Sequence, residues 1–301
     1  MSATVDLTGK TAVVTGAARG IGAALALRLA QSGARVALVG LEPMELAART
    51  ATCQGHSEAR AWTADVTDLV RMRTVADEVV AHFGRVDIVV ANAGIAIGGP
   101  FAQSDPASFD RVITVNLLGS IATARAFLPA LIDSRGYLLQ VASMAAMAPA
   151  PLMAAYCTSK SGVEAFAHTL GSEVAHQGVG VGVAYLSWTD TDMVRGADED
   201  ETLRKMRASL PWPANRTAPL APAVERLLAG VARRAPHVYG QAWIRVFQWL
   251  PRATIPTVVA RVAARQMRAL APALEATADQ RGGPVGPGGR ADAARSSSPT
   301  T

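Results

Sequence analysis

Thr11-Ala12-Val13-Val14-Thr15-Gly16-Ala17-Ala18-Arg19-Gly20-Ile21-Gly22 decides the fold of this chain. Its first five residues form a β-branched apolar run, its middle is glycine-rich, and its end opens Ile21–Gln31, where apolar residues recur at helical spacing. Strand, tight turn and helix in that order begin a βα unit. The alternation continues: Arg35–Val39, Val86–Ala91, Gly136–Ala142 and Val179–Leu186 are short apolar runs separated by helical stretches. Strands that are apolar along their whole length are covered on both faces, so the pattern predicts an α/β fold, a doubly wound parallel sheet with helices on each side. Beyond about Asp190 it weakens into an acidic cluster, Asp198–Glu201, a proline-rich stretch, Pro211 to Pro222, and one more helix, Ala221–Arg233. Ala271–Thr301, rich in Gly, Pro, Ser and Ala, reads as a disordered tail.

The 301 residues are 50% hydrophobic and 18% charged, a composition that excludes collagen-like and disordered classes and suits one large domain with an appendage. The net charge of +5 is local. Residues 231–270 hold seven arginines and no acid, while residues 1–230 carry a small acidic excess and residues 271–301 balance. No recognition motif accompanies the charge, so no nucleic-acid partner is expected. Within the basic stretch, Thr257–Leu270 places Val258, Val259, Val262 and Leu270 among Arg261, Arg265 and Arg268 at helical intervals, after an aromatic lead-in of Trp243, Phe247 and Trp249. Residues 240–270 therefore suit a membrane surface, a partner subunit or substrate entrance, or plain solvent. Cys53 and Cys157 are too few for a disulfide framework, and Met1–Lys10 has no apolar signal region, which points to a reducing, cytoplasmic setting. No run of 18 uncharged apolar residues is present.

Glycines between a first strand and a first helix let the backbone turn tightly and approach a pyrophosphate, which then sits on free N–H groups at the positive end of the helix dipole. The spacing here is TGxxxGxG, from Thr15 to Gly22. Tyr156-Cys157-Thr158-Ser159-Lys160 is a YxxxK motif, whose i, i+4 spacing puts Tyr156 and Lys160 on one helix face. Ser143 precedes Tyr156 by thirteen residues and follows the Gly136–Ala142 strand. Together these resemble the short-chain dehydrogenase/reductase family, over residues 5 to about 235. Asp65-Val66 matches the family's adenine-contacting position, Asn92-Ala93-Gly94 its NAG motif, Ser143 its catalytic serine, and Asn116, in Val115–Gly119, its asparagine.

The resemblance implies a Rossmann-type sheet and an NAD(P)-dependent oxidoreductase. Tyr156 would be the acid/base, Ser143 would polarise the carbonyl, Lys160 would lower the Tyr156 pKa and bind the nicotinamide ribose, and Asn116 would hold a water linking Lys160 to solvent. A phenol titrates near ~10, so it needs nearby positive charge to act as a base at neutral pH. Gly16, Arg19, Gly20, Ile21, Gly22, Asp65, Val66, Asn92, Ala93, Gly94, Tyr156, Lys160, Thr189 and Thr191 would line the cofactor. The choice of nicotinamide rests on conflicting signals. The acidic position ending the second strand is Gly40, Glu42 follows two residues later, and Arg19 can pair with a 2′-phosphate or stand as a solvated charge. The balance leans slightly to NADP.

One departure stands out: the family's Pro-Gly after the sixth strand is Leu186-Ser187 here, with Thr191 retained. Met193, Met206, Leu210 and Trp212 in the expected lid from Asp192 to about Pro213, with Met144, Met147 and Met153 around the catalytic residues, suit a hydrophobic alcohol or carbonyl substrate or are simply packing. The expected layout is a catalytic domain at 1–235, a basic extension at 236–270 and a tail at 271–301. The resemblance implies a homodimer or homotetramer. A scaffold or redox sensor that keeps the fold without turnover is the alternative function, and a reductase acting on carrier-bound thioesters is a third.

Overall fold

The computed structural model describes residues 5–249 and 286–296. Seven strands form one parallel sheet: β1 (Thr11–Thr15), β2 (Arg35–Gly40), β3 (Ala59–Thr63), β4 (Ile88–Ala91), β5 (Tyr137–Val141), β6 (Gly180–Tyr185) and β7 (His237–Tyr239). Their order is β3-β2-β1-β4-β5-β6-β7, so the direction of winding reverses between β1 and β4. Ligands bind at such a switch point, outside the carboxyl ends of the strands.

Alternate β1 side chains serve opposite layers. Ala12 and Val14 pack with Leu25 and Leu29 of helix α1 (Gly20–Gln31), Leu46 of α2 (Pro43–Gln54) and Leu227 and Leu228 of α9 (Leu220–Ala232). Val13 faces the other way, onto Met72 and Val75 of α3 (Leu69–Phe83), Phe127 and Leu131 of α5 (Gly119–Ser134) and Leu170 of α6 (Ala154–Val174). That split is the physical content of strands apolar on both faces. α4 (Pro106–Ile113) runs into α5 through a π turn, Thr114–Leu118. This long run, Pro106–Ser134, has the length and apolarity to cross a membrane, yet half of its most apolar window is buried inside the fold.

The five strands read from sequence are all present with ends shifted by two residues or fewer. β3, absent from the apolar runs of the sequence, carries charged Arg60 at a sheet edge, which breaks the apolar pattern. β7 has three residues, too few to show a period, and it moves the expected domain boundary: position 235 falls before a strand of the same sheet. The segment expected as a lid folds as two short helices, α7 (Asp192–Glu199) and α8 (Glu201–Ala208). Leu203 of α8 seats against Gly98, where a Cβ would lie 2.3 Å from it. A short helix, α10 (Arg245–Trp249), follows β7. The basic amphipathic stretch at 257–270 lies outside the described residues. Inside the stretch read as a disordered tail, Gly286–Ser296 forms helix α11, packed on α7. Its composition, GPGGRADAARS, carries no helical signal, and its ordering comes from tertiary ion pairs described below.

Candidate active site

The glycine turn is built against the end of β4. Gly16 has a φ of +65°, and a Cβ there would lie 2.8 Å from the Ala93 Cα. A Cβ on Gly22 would sit 2.2 Å from the Gly16 carbonyl oxygen. Asn92 locks the arrangement: its Nδ2 donates to the Thr15 carbonyl at 2.9 Å, and the Asn92 N–H donates to the Thr15 hydroxyl at 3.0 Å. Gly22→Ala is therefore expected to displace the turn. It should weaken ADP-ribose binding by ~100-fold in calorimetry and cost about 1–3 kcal/mol in urea unfolding. Gly55→Ala, where the added Cβ meets only ordinary contact at 3.5 Å, should change neither.

A cavity of about 480 Å³ starts at this turn. Gly16, Arg19, Gly20, Ile21, Asp65, Val66, Asn92, Ala93 and Gly94 line one end, and Ser143, Tyr156, Lys160, Thr189 and Thr191 the other. Of the residues expected at the site, only Gly22 and Asn116 stand behind the wall. Helix α1 has neither a side-chain cap nor an acidic residue in its first turn, and Gly20 and Ile21 present that end to the cavity. The buried Nε of Arg19 also has no partner among the described residues. Uncapped N–H groups and an unsatisfied cationic donor on a cleft fit the anionic backbone of a dinucleotide. Arg19 Nη2, by contrast, is paired with Glu42 at 3.2 Å and Glu45 at 3.5 Å.

At the far end, Tyr156 and Ser143 line the same part of the cavity, and the Lys160 Nζ lies 5.8 Å from the centre of the Tyr156 ring. Lys160 is 4% exposed and donates to the Val141 carbonyl at 2.8 Å. Burial pulls its pKa down to about 8, which leaves it cationic at neutral pH. For Tyr156 the cleft by itself acts the other way: burial raises its pKa, and this outweighs the opposing influence of Ser143. In the nucleotide-free cleft the phenol is an acid held in its protonated form.

Asn116 sits in the π turn. Its Oδ1 accepts from the Ile95 N–H at 2.8 Å, while Nδ2 donates to the Ile95 carbonyl at 2.9 Å and to Ser159 Oγ at 3.0 Å. Both amide donors are used, which fixes the strand-end loop and leaves one Oδ1 lone pair for a water. A Cβ on Gly94 would be 3.0 Å from that oxygen and 3.5 Å from Lys160 Nζ, so Asn116 and Lys160 flank the same backbone.

The altered turn after β6 is held by a residue the sequence did not single out. Gln241, just past β7, accepts from the Ser187 N–H at 2.9 Å and donates to Thr189 Oγ1 at 3.0 Å. Thr191 donates to the Thr189 carbonyl at 3.2 Å. Side-chain amide bonds thus replace the stiffness of the missing proline, and nothing local signals a partner 54 residues away.

On the substrate side, Met144, Met153, Met193 and Leu210 line the cavity, as do Trp188 and Phe247. Met206 is buried in the lid's own core, Met147 packs in a separate cluster with Tyr185, and Trp212 is 74% exposed, so these three are corrected to packing or surface roles. Phe247 was read only as part of an aromatic lead-in. The structure puts it on the cavity wall.

The profile of the short chain dehydrogenase family matches residues 10–202. The chain belongs to that family. This short-chain dehydrogenase is 37% identical over 177 residues to the D-threitol dehydrogenase of Mycolicibacterium smegmatis, which covers 58% of the chain and 68% of the relative. It is also 37% identical over 191 residues to the 1-deoxy-11-beta-hydroxypentalenate dehydrogenase of Streptomyces avermitilis, covering 62% and 71%. Among solved structures, a short chain dehydrogenase from Mycobacterium paratuberculosis bound to NAD superposes with a TM-score of 0.69 at 27% identity, over 78% of this chain and 97% of that one. The family, fold and oxidoreductase class implied by the motifs are thereby established for the protein.

Proposed function

We propose that this short-chain dehydrogenase exchanges hydride between a nicotinamide dinucleotide, NAD in preference to NADP, and a hydrophobic secondary alcohol or its ketone. The observation that carries the reading is one continuous cavity with Tyr156, Ser143 and Lys160 at one end and the uncapped helix α1 at the other. Gly16, Gly20 and Ile21 would seat the pyrophosphate, Glu42, Asp65 and Val66 the adenosine half, and Asn92, Ala93, Gly94, Lys160, Thr189 and Thr191 the nicotinamide half. The bound dinucleotide supplies the hydride donor or acceptor.

The chain's own groups manage the oxygen and its proton. Tyr156 would give its proton to the carbonyl oxygen during reduction and, as phenolate, take one from the alcohol during oxidation. Ser143 would donate to the same oxygen. Its present bond to the Leu186 carbonyl is long, at 3.2 Å, and readily exchanged. The Lys160 ammonium would stabilise the phenolate and hold ribose hydroxyls, and the remaining Asn116 lone pair would hold a relay water.

The slight lean to NADP rested on Arg19. Its pairing with Glu42 and Glu45 supports NAD instead, because carboxylates beside it would accept from a ribose 2′-OH and repel a 2′-phosphate. Glu42→Ala is expected to narrow the NAD:NADP ratio of kcat/KM by about tenfold. A wild-type enzyme that prefers NADP, or a ratio unmoved by the substitution, rules this out.

The wall of Met144, Met153, Trp188, Met193, Leu210 and Phe247 offers few polar partners for a small polyol such as threitol, and supports an apolar substrate. The test is a panel of secondary alcohols and ketones graded by polarity, followed at the absorbance of the reduced nicotinamide. Turnover should rise with apolar bulk. Dinucleotide binding with no turnover across the panel would leave the scaffold reading in its place.

A further inference from the structure

Helix α11 lies along the open side of the cofactor cleft. Gly288, Gly289 and Asp292 line the same cavity as Gly16, Gly20 and Asp65. The helix is anchored at its start and in its middle. Near its start, Gly286 packs on the Asp192–Met193 backbone, where a Cβ would come within 2.8 Å of the Asp192 carbonyl oxygen. Further along, Asp292, only 3% exposed, takes both prongs of the Arg111 guanidinium: Arg111 Nε donates to Asp292 Oδ2 at 2.8 Å and Nη2 donates to Oδ1. The same Nη2 donates to Asp65 Oδ2 at 2.8 Å. Arg290 of α11 faces Glu199 of α7 at 3.7 Å.

A chain of contacts therefore runs from the C-terminal helix through one arginine to Asp65. Forked arginine–carboxylate pairs are directional as well as strong, so Asp292 fixes where Arg111 points, and Arg111 fixes the free edge of the Asp65 carboxylate. Asp65 feels the result. Burial acts to raise its pKa, but hydrogen bonds from Thr67 and Arg111 prevail and hold it below the ordinary carboxylate range. What α11 turns to the cavity is equally telling. Gly288 and Gly289 carry no side chain, and a Cβ on Gly288 would touch Arg19 at 3.5 Å, beside its unpartnered Nε. The helix bounds the cavity without filling it.

We propose that α11 is the missing wall of the adenosine half of the nucleotide site, with Asp292 as a positioning residue that acts through Arg111 on Asp65. The proposal rests on the dinucleotide reading above and extends it to a segment beyond the family match, which ends at residue 202. A wall there retains the adenosine half and leaves the nicotinamide end untouched. Probes that carry only one half of the dinucleotide tell the two ends apart.

The experiment is calorimetric titration of the full chain with ADP-ribose and, separately, with reduced nicotinamide mononucleotide. Two variants are compared with wild type: Asp292→Ala, which releases Arg111, and Gly288→Phe, which keeps the ion pair but pushes a ring against Arg19. Both are expected to weaken ADP-ribose by about tenfold while binding the mononucleotide as wild type does. Asp292→Glu, which keeps a carboxylate, should recover most of the affinity. A variant that binds ADP-ribose as tightly as wild type overturns the wall. One that binds it more tightly also overturns it, by showing that α11 competes with the nucleotide. Loss of both probes together would mark general damage and equally defeat a role confined to one half. Wild type that binds neither probe would instead defeat the dinucleotide reading itself.

Discussion

Tyr156→Phe is expected to lower kcat by about 10³–10⁴-fold and to leave dinucleotide affinity within about twofold. The substitution keeps the ring, and with it the packing at the start of α6, and removes only the hydroxyl that meets Ser143. Among the described residues at that end of the cavity, Lys160 is turned onto the Val141 carbonyl and Thr191 onto the Thr189 carbonyl. The pH dependence should separate the two directions. Burial holds the Tyr156 phenol above its ordinary pKa in the free cleft, so alcohol oxidation, which needs the phenolate, should climb with pH, whereas carbonyl reduction, which needs the phenol, should fall. Steady-state rates in both directions from pH 6 to 10 read this out. A Phe variant that turns over at the wild-type rate would remove Tyr156 from the mechanism.

Lys160→Met should separate stability from activity. Activity is expected to fall by about 10²–10⁴-fold, because the cation beside the phenolate is lost. Stability should move the other way at neutral pH. Folding takes the Lys160 pKa from 10.5 down to about 8, so below pH 8 the group is charged in both states and the native state carries the full burial penalty. Between pH 8 and 10.5 the unfolded chain binds more protons than the folded one, and wild-type stability therefore rises with pH across that window. The methionine variant lacks this term. Its advantage over wild type should be largest at pH 7 and shrink by about 2 kcal/mol by pH 9.5, in urea unfolding of the nucleotide-free protein. The lost donor to Val141 lowers both ends of that comparison equally. A difference that stays constant with pH would mean that Lys160 is not desolvated as described. In the proposed mechanism the same desolvation that depresses its pKa would strengthen its field on a phenolate.

The parts of the site that were legible in the sequence are those whose partners are close along the chain or imposed by backbone geometry. Gly16 and Gly22 are required by a turn completed within seven residues, and the Tyr156–Lys160 spacing is one helical turn. Ser143 and Asn92 follow strands whose apolar runs mark where a parallel sheet ends. The parts that were not legible involve single long-range hydrogen bonds. Gln241 holds Ser187 across 54 residues, and Arg111 reaches Asp292 across 181. Neither has a period or a motif. The pocket lining was half legible for the same reason: composition points to an apolar, methionine-rich cleft, but Met206 and Trp212 differ from Met193 only in which way each faces once the lid helices are packed.

By itself, the sequence determined a doubly wound parallel sheet, a glycine turn at its switch point and the placing of Tyr156 and Lys160 on one helix face, because strand period, turn sterics and helix spacing are local properties of the chain. Only the tertiary structure decided the environment that sets their chemistry. It buried Lys160 and raised the Tyr156 pKa, gave Arg19 to Glu42, and brought a glycine-rich C-terminal stretch, with no helical signal of its own, against the nucleotide cleft as α11. These outcomes depend on charges and carbonyls that meet through space, and a short helix of weak intrinsic propensity forms only where such partners hold it.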